Sequence, residues 1–352
     1  MARKVLYRET VNQNKTTEFY RNLHEITTDD GMNLIMTHKL PVARKSLAPV
    51  LLVHGLGQNR YSWTLSKRSM ENYLVANGFE TFNVELRGHG LSRANGCEVP
   101  ASFETYLFQD IPAVLRAVRE IADGHKIFYI GHSLGGAIAY CVGARYQEHL
   151  AGVVAIASPF SMAEGNLVLK GLARIGTLMD RVVPFRLLHP ETFYIDFIGA
   201  LAKYGLFALD SRFNLVPIQV WYPGSIERDI LTERIEKGFD RTSFNVVWLL
   251  VEWASSGKFL SSDGKLDFED SIEELKVPIF FVVGDKDCAV PEASVREAYL
   301  KAGSADKTLK VFGGEAPGLH WGHCDLICGR EAPRVVWPEV LSWMQQRLQP
   351  AG

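Results

Sequence analysis

The chain has 352 residues, of which 47% are hydrophobic and 22% are charged, and its formal net charge at pH 7 is −2. This length allows one large domain with an insertion, or two domains, and the near-neutral charge gives no reason to expect nucleic acid or an anionic membrane as a partner. No apolar run reaches the ~18 residues that a membrane-spanning helix needs.

The first twenty residues lack the apolar core of a signal peptide, and the five cysteines are odd in number and scattered. Both features favour a reducing compartment over an exported protein with a framework of disulfides. We therefore expect a cytoplasmic protein without a transmembrane segment. The oligomeric state is left open.

Short apolar segments alternate with segments of helical length along most of the chain. The turn "DDGM" at 29–32 separates two segments of alternating polarity, which predicts an antiparallel hairpin at a sheet edge. Buried strands are predicted at 49–54, 79–86, 126–132, 152–158, 277–284 and near 308, and helices at 66–77, 103–122, 134–146, 291–302 and 332–348. This alternation indicates a mostly parallel sheet with helices on both faces.

The alternation stops after Ser158 and resumes near Val277. Helical spacing within the interval is seen at Val247, Leu250, Val251 and Ala254. An insertion at this place would cover the C-terminal edge of the sheet, where open α/β sheets bind ligands. We therefore predict a core of residues 1–158 and 268–352 and a mostly helical cap at 159–267.

Within the predicted cap, the segment "FYIDFIGALAKYGLF" at 193–207 is apolar apart from Asp196 and Lys203. These two residues fit the polar face of a cap helix. The other interpretation is an exposed apolar surface that touches lipid aggregates.

The strand at 126–132 leads into Gly131-His132-Ser133-Leu134-Gly135-Gly136, and a helix follows. This is the G-x-S-x-G pattern in its strand–turn–helix context. The turn presents the Ser133 hydroxyl at the edge of the sheet, and the N–H of Leu134 at the helix start is placed to stabilise an oxyanion. Ser133 is therefore the predicted nucleophile, and the alternative is a glycine-rich turn with an incidental serine.

A second loop, His54-Gly55-Leu56-Gly57, follows the strand at 49–54. The N–H of Leu56 is the candidate that completes an oxyanion hole with Leu134. The alternative is a nucleotide-binding glycine loop, but the G-x-G-x-x-G pattern and a Walker lysine are absent.

Several motifs resemble those of the α/β-hydrolases, and within that superfamily those of the acid and gastric lipase group and related bacterial lipases. They are "HGL" followed by Trp63, "ELRGHGLS" at 85–92, "GHSLGG" at 131–136, "GDKD" at 284–287 and "HCDLICGREAP" at 323–333. The resemblance covers both halves of the predicted core but not the cap. It implies an α/β-hydrolase fold, cleavage of carboxylic esters, and no metal or organic cofactor.

A serine nucleophile needs a histidine as its base, and the histidine needs a carboxylate to orient it. In the α/β-hydrolases the carboxylate follows the serine in the chain, and the histidine comes last. The resemblance selects Asp287, three residues after Gly284, and leaves Asp285 as the alternative acid. If Asp285 is not the acid, we expect it to cap the next helix. Only two histidines follow these acids, and the resemblance selects His323 over His320. The residues expected to line the pocket are His54, Gly55, His132 and His320.

The pattern H-x-x-H-C-x-x-x-C at 320–328 also contains zinc-binding atom types. His323 and Cys324 are adjacent and would point apart, and no second Cys/His pair completes a familiar spacing. We therefore expect no metal, and we expect Cys324 and Cys328 to pack as small apolar residues.

Together these features predict a serine hydrolase of esters with hydrophobic acyl chains, acting through a Ser-His-Asp triad and an acyl-enzyme. Thioester hydrolysis and acyl transfer use the same three residues and stay open as alternatives. A non-catalytic binding protein of the same fold is the alternative from a different class. The predicted partner is a hydrophobic ester, with transient contact with a lipid surface.

Overall fold

The computed structural model describes residues 5–42, 45–162, 164–180, 191–195, 210–211 and 219–348. The strands in this part of the chain are β1 (Leu6–Asn12), β2 (Lys15–Thr27), β3 (Asn33–Pro41), β4 (Pro49–Val53), β5 (Glu80–Glu85), β6 (Ile127–His132), β7 (Leu150–Ile156), β8 (Thr192–Tyr194), β9 (Arg241–Ser243), β10 (Ile279–Gly284) and β11 (Lys307–Phe312).

One sheet of nine strands has the order β1-β2-β3-β5-β4-β6-β7-β10-β11. The pairs from β5 to β11 along this order are parallel, whereas the pairs that join β1, β2, β3 and β5 are antiparallel. β4, β5, β6 and β10 are buried along their whole length, as expected of parallel strands covered on both faces. The predicted fold class is confirmed.

The α-helices within the described ranges are α1 (Met70–Ala76), α2 (Gly90–Ala94), α3 (Phe103–Thr105), α4 (Ile111–Ile121), α5 (Leu134–Val142), α6 (Leu167–Asp180), α7 (Arg228–Gly238), α8 (Phe244–Ser256), α9 (Ser271–Glu274), α10 (Glu292–Lys301), α11 (Asp325–Cys328) and α12 (Ala332–Gln345). A π-helical turn, Tyr106–Asp110, joins α3 to α4. None of these helices is both long enough and apolar enough to cross a bilayer.

The core lies on both faces of the sheet, because side chains of a strand alternate between its two faces. Alternate residues of β4 enter two different hydrophobic clusters: Leu51 and Val53 in one, Val50 and Leu52 in the other. Helix α5 packs in the first cluster through Ile138, and α12 packs in the second through Trp337. Because β5, β4, β6, β7, β10 and β11 run parallel, their C-terminal ends lie at one edge of the sheet.

The N-terminal edge differs from the prediction. The expected hairpin is present, with Leu23 opposite Thr37 and Thr27 opposite Asn33, but β2 is longer than expected and β1 was not predicted. β1 lies at the edge of the sheet with Val11 as its one buried residue. Its remaining residues are partly or fully exposed, so the sequence shows no buried alternation there.

Between residues 159 and 267, the described strands β8 and β9 pair with each other and stay outside the large sheet. The helices described in this interval are α6, α7 and α8, and α6 packs against α8 through Ala173 and Ala254. The division into a core and a cap stays a prediction, as does the cytoplasmic location. Asp196 and Lys203 lie outside the described residues.

Candidate active site

Ser133 occupies the turn between β6 and α5 with φ 53° and ψ −120°. A non-glycine residue with positive φ is strained, and such strain persists where the surroundings fix it. The Ser133 N–H donates to Ile156 O at 2.9 Å, and Ser133 O accepts from Gly136 N at 3.0 Å. A Cβ added at Gly135 would lie 2.3 Å from Val53 O, so this position requires glycine. The turn leaves Ser133 half-buried between buried neighbours.

The loop at 54–59 lies against Ser133. A Cβ added at Gly55 would lie 3.0 Å from Ser133 Cβ. His54 lies underneath, where its Nε2 accepts from Leu86 N at 3.1 Å and its Nδ1 donates to Gly55 O at 2.9 Å. Burial, followed by the nearby His89, lowers the pKa of His54 to about 3. The imidazole is therefore neutral, and it supports the loop from a buried position.

Asp287 and His323 form a buried pair. Asp287 follows β10, and its Oδ2 lies 2.8 Å from His323 Nδ1. Its Oδ1 accepts from Ala289 N at 2.9 Å and Val290 N at 2.8 Å. The two side chains are 0% and 5% exposed, respectively. A carboxylate at this distance favours the imidazole tautomer that carries its proton on Nδ1.

A second aspartate–histidine pair lies beside the first. Asp285 Oδ2 is 2.6 Å from His320 Nδ1, and Asp285 Oδ1 accepts from Trp321 N at 3.0 Å. The expectation that Asp285 caps the next helix is wrong, because both oxygens contact the 319–324 loop instead. His320 is 30% exposed and lines a cavity of about 230 Å³ with Tyr222. Neither Ser133 nor His323 lines that cavity.

His132 connects the serine turn to the two neighbouring loops. Its Nδ1 lies 3.3 Å from Gln58 Oε1, and its Nε2 lies 3.3 Å from His323 O. The rings of His132 and His323 are 4.7 Å apart. Complete burial, followed by the proximity of His323, lowers the pKa of His132 well below its ordinary value. His132 therefore contacts the site as a buried neutral ring.

Asp240 is a buried carboxylate that the sequence analysis did not single out. Its N–H donates to Gly57 O at 2.7 Å, and its Oδ2 accepts from Gly90 N at 2.6 Å. Burial opposes its ionisation, yet the Gly90 N–H and the nearby His89 bring the pKa of Asp240 below its ordinary value. The segment between α7 and β9 is thus hydrogen-bonded to the 54–59 loop. No local sequence pattern predicts this contact.

His320 and His323 face different carboxylates, and no group of three potential metal ligands occurs in the described ranges. Cys324 and Cys328 are buried in a hydrophobic cluster that includes Leu65 and Ile230. Every cysteine of the chain is a free thiol.

Asp325, also not singled out from the sequence, makes folding stability depend on pH. Burial raises its pKa to about 7, although N–H groups of Gly322 and Tyr222 act in the opposite direction, whereas an unfolded aspartate titrates near pH ~4. The stabilisation from its bound proton is fully present below about pH 4 and is lost as the pH rises through about 7. Between about pH 5 and about pH 8, the free energy of unfolding is expected to fall less in Asp325→Asn than in the wild type. Urea titrations at each pH measure this free energy.

The matched control is Asp263→Asn. A hydrogen bond from the Ser261 side chain lowers the pKa of Asp263 to about 2, below the tested range. The slope of stability against pH is therefore expected to match the wild type in this variant. If the slope of stability against pH in Asp325→Asn equals that of the wild type, this pH dependence does not come from Asp325.

The parallel sheet, the strained serine turn and the buried aspartate–histidine pair define an α/β-hydrolase architecture. Residues 48–323 match the family described as alpha/beta hydrolase fold, and the chain belongs to this family.

Among curated proteins, the chain is similar to gastric triacylglycerol lipase of Rattus norvegicus, with 24% identity over 92% of this chain and 88% of that one. It is also similar to monoglyceride lipase of Homo sapiens, with 24% identity over 95% of this chain and 93% of that one. Among solved structures, monoacylglycerol lipase of Paleococcus ferrophilus aligns with a TM-score of 0.59 and 18% identity, over 90% of this chain and 100% of that one. At this identity, the structural likeness concerns the fold.

Proposed function

We propose that this protein is a serine hydrolase that cleaves carboxylic esters with hydrophobic acyl chains. The observation that carries the proposal is the buried Asp287–His323 pair, with a distance of 2.8 Å, next to the strained turn at Ser133. His132 links the two parts, because it precedes Ser133 and its ring lies 4.7 Å from that of His323. Such a pair beside a strained serine is the arrangement that nucleophilic acyl transfer needs.

In the first half of the reaction, Ser133 Oγ attacks the ester carbonyl carbon while its proton passes to His323 Nε2. The carbonyl oxygen becomes an oxyanion that accepts hydrogen bonds from the N–H groups of Leu56 and Leu134. When the tetrahedral intermediate collapses, the C–O bond to the alcohol breaks and the alkoxide takes the proton from His323. The acyl group stays on Ser133.

In the second half, His323 takes a proton from water, and the resulting hydroxide attacks the acyl-enzyme carbonyl. Collapse of this second intermediate breaks the bond to Ser133 Oγ, which recovers its proton from His323. The products are a carboxylic acid and an alcohol. Asp287 stays ionised throughout, and it orients the imidazole and stabilises the imidazolium.

A preference for hydrophobic esters is supported by an exposed apolar face on α6. The exposed apolar residues of this helix are Leu167, Val168, Leu172, Ile175, Leu178 and Met179. Their spacing places them within one side of the helix. The helix begins next to the Asp287 loop, where Asn166 Nδ2 donates to Cys288 O at 2.9 Å. An apolar face in this position is suited to transient contact with a lipid surface.

Changing this face should separate two kinds of substrate. The double variant Leu172→Ser/Ile175→Ser is expected to lower turnover of a long-chain ester in phospholipid vesicles by about tenfold, because it removes apolar contact area from the surface. Hydrolysis of dissolved p-nitrophenyl acetate should change less than about twofold, because the reacting groups are untouched.

The control variant is Leu300→Ser, which alters a residue of α10 that is 68% exposed and outside the α6 face. It should leave both activities unchanged. Equal losses on the two substrates in the α6 variant, or no loss on vesicles, would remove this support for lipid contact.

The substrate class itself is tested with a panel of p-nitrophenyl esters of increasing acyl length. The proposal predicts turnover that rises from acetate toward longer chains and that depends on Ser133. The thioester and acyl-transfer alternatives use the same three residues. They are tested by replacing the ester with an acyl thioester and by adding an alcohol acceptor.

A further inference from the structure

Asp325 lies two residues after His323 and is fully buried at the start of α11. Its Oδ2 accepts two backbone hydrogen bonds, from Gly322 N at 2.7 Å and from Tyr222 N at 2.8 Å. Gly322 directly precedes His323. One carboxylate oxygen therefore holds the backbone in front of His323 and, at the same time, a segment about one hundred residues earlier in the chain.

The segment at 220–225 contacts the 319–324 loop and its continuation at three points. Besides the bond to Asp325, Val220 O accepts from Cys324 N at 2.8 Å, and Ser225 O accepts from Arg330 N at 2.9 Å. A Cβ added at Gly322 would lie 2.5 Å from Tyr222 N. The two stretches of backbone are thus in direct contact, and the Asp325 carboxylate joins them at the residue before His323.

Asp287 alone does not fix the place of the His323 ring. A histidine with a free backbone could keep its bond to Asp287 and still swing away from Ser133. The backbone on the other side of His323 contacts His132, whose Nε2 lies 3.3 Å from His323 O. A general base has to lie within hydrogen-bond reach of the proton that it removes, and a displacement of ~1 Å is enough to slow a reaction by about a hundredfold.

We infer that Asp325 is a positioning residue, which joins the backbone ahead of His323 to the 220–225 segment and thereby keeps the imidazole in reach of Ser133. This inference rests on the proposed hydrolase function. Burying a carboxylate lowers folding stability unless hydrogen bonds compensate for the lost hydration. Burial also raises the pKa of Asp325. Its placement beside His323 matches the general rule that the groups supporting a reactive residue are themselves held by hydrogen bonds.

The test compares Asp325→Ala with Asp325→Asn. Alanine removes both bonds, and we expect kcat to fall between about tenfold and about a hundredfold while KM changes less than about twofold. Asparagine keeps an oxygen that accepts both N–H groups, so its kcat is expected to lie within about threefold of the wild type. The control is Asp110→Asn, which alters another fully buried carboxylate, bonded to Arg87, far from the 319–324 loop in the sequence.

A second readout does not depend on substrate. We expect the proton between His323 Nδ1 and Asp287 to give a low-field NMR signal in the wild type. This signal should broaden or shift in Asp325→Ala and persist in Asp325→Asn and Asp110→Asn. If Asp325→Ala does not fold, Gly322→Ala replaces it, because the added Cβ separates the two backbones. We expect the same fall in kcat in that variant.

Ester turnover by the wild type and its loss in Ser133→Ala are measured first. Absence of Ser133-dependent turnover would reject the proposed function. With that turnover present, a folded Asp325→Ala or Gly322→Ala protein with wild-type kcat would reject only the positioning role. A change in Asp325→Ala that is confined to KM would also reject the positioning role. So would a loss of kcat in Asp110→Asn as large as the loss in Asp325→Ala.

Discussion

Replacing Ser133 by alanine is expected to lower kcat by about four to six orders of magnitude and to leave the fold intact. Alanine removes the attacking oxygen and fills nearly the same space in the turn. Ser133 N and O bond to Ile156 and Gly136 through the backbone, and alanine keeps both bonds. The measurement is kcat on a p-nitrophenyl ester, with the thermal unfolding temperature recorded on the same preparation.

The matched control for this result is Ser158→Ala. Ser158 is a buried serine just after β7, and its Oγ donates to Ile156 O at 3.1 Å. The Ser158→Ala change should reduce kcat by less than about threefold, because the Ser158 hydroxyl takes no part in the chemistry. A Ser133→Ala protein that retains most of its activity would rule out the proposed mechanism.

The second large effect concerns the choice between the two histidines. His323→Gln is expected to lower kcat by about four to six orders of magnitude, because glutamine keeps much of the side-chain volume but does not accept the serine proton. His320→Gln should cost less than about tenfold. Kinetics on the same ester, with both variants checked for folding, give the ranking.

His320 is a close control, because it forms the same kind of pair. Its Nδ1 lies 2.6 Å from Asp285, compared with 2.8 Å between His323 and Asp287. The two pairs differ in surroundings: the Asp287–His323 pair is buried and adjoins His132, whereas His320 is partly exposed and lines another cavity. A larger loss in His320→Gln than in His323→Gln would reverse our assignment.

The fold was predictable where its signals are local. The buried strands β4, β6 and β10 consist of short apolar runs, and the serine turn combines a strand, glycines and a helix within a few residues. β1 was missed because an edge strand with one buried residue carries no such signal. Helix α1 begins at Met70, later than predicted, because Ser69 caps it by accepting from Asn72 N.

The candidate site was predictable to a smaller extent. Ser133 followed from its local motif, but Asp287 and His323 were selected by resemblance to a family. The pairing of Asp285 with His320 was not foreseen, because residues 35 positions apart meet only through the fold. Asp240 and Asp325 were missed for the same reason: their importance lies in backbone contacts with Gly57 and Tyr222, far from them in sequence.

The role of Ser133 as the nucleophile is tested most directly by mass spectrometry of the protein after reaction with a fluorophosphonate, which forms a covalent bond with an activated serine. We expect one adduct, located on Ser133. We also expect no adduct in Ser133→Ala and much slower labelling in His323→Gln. Folded wild-type protein that gains no adduct would contradict the proposed mechanism and favour a non-catalytic binding role. An adduct on another serine, with Ser133 unmodified, would also contradict it.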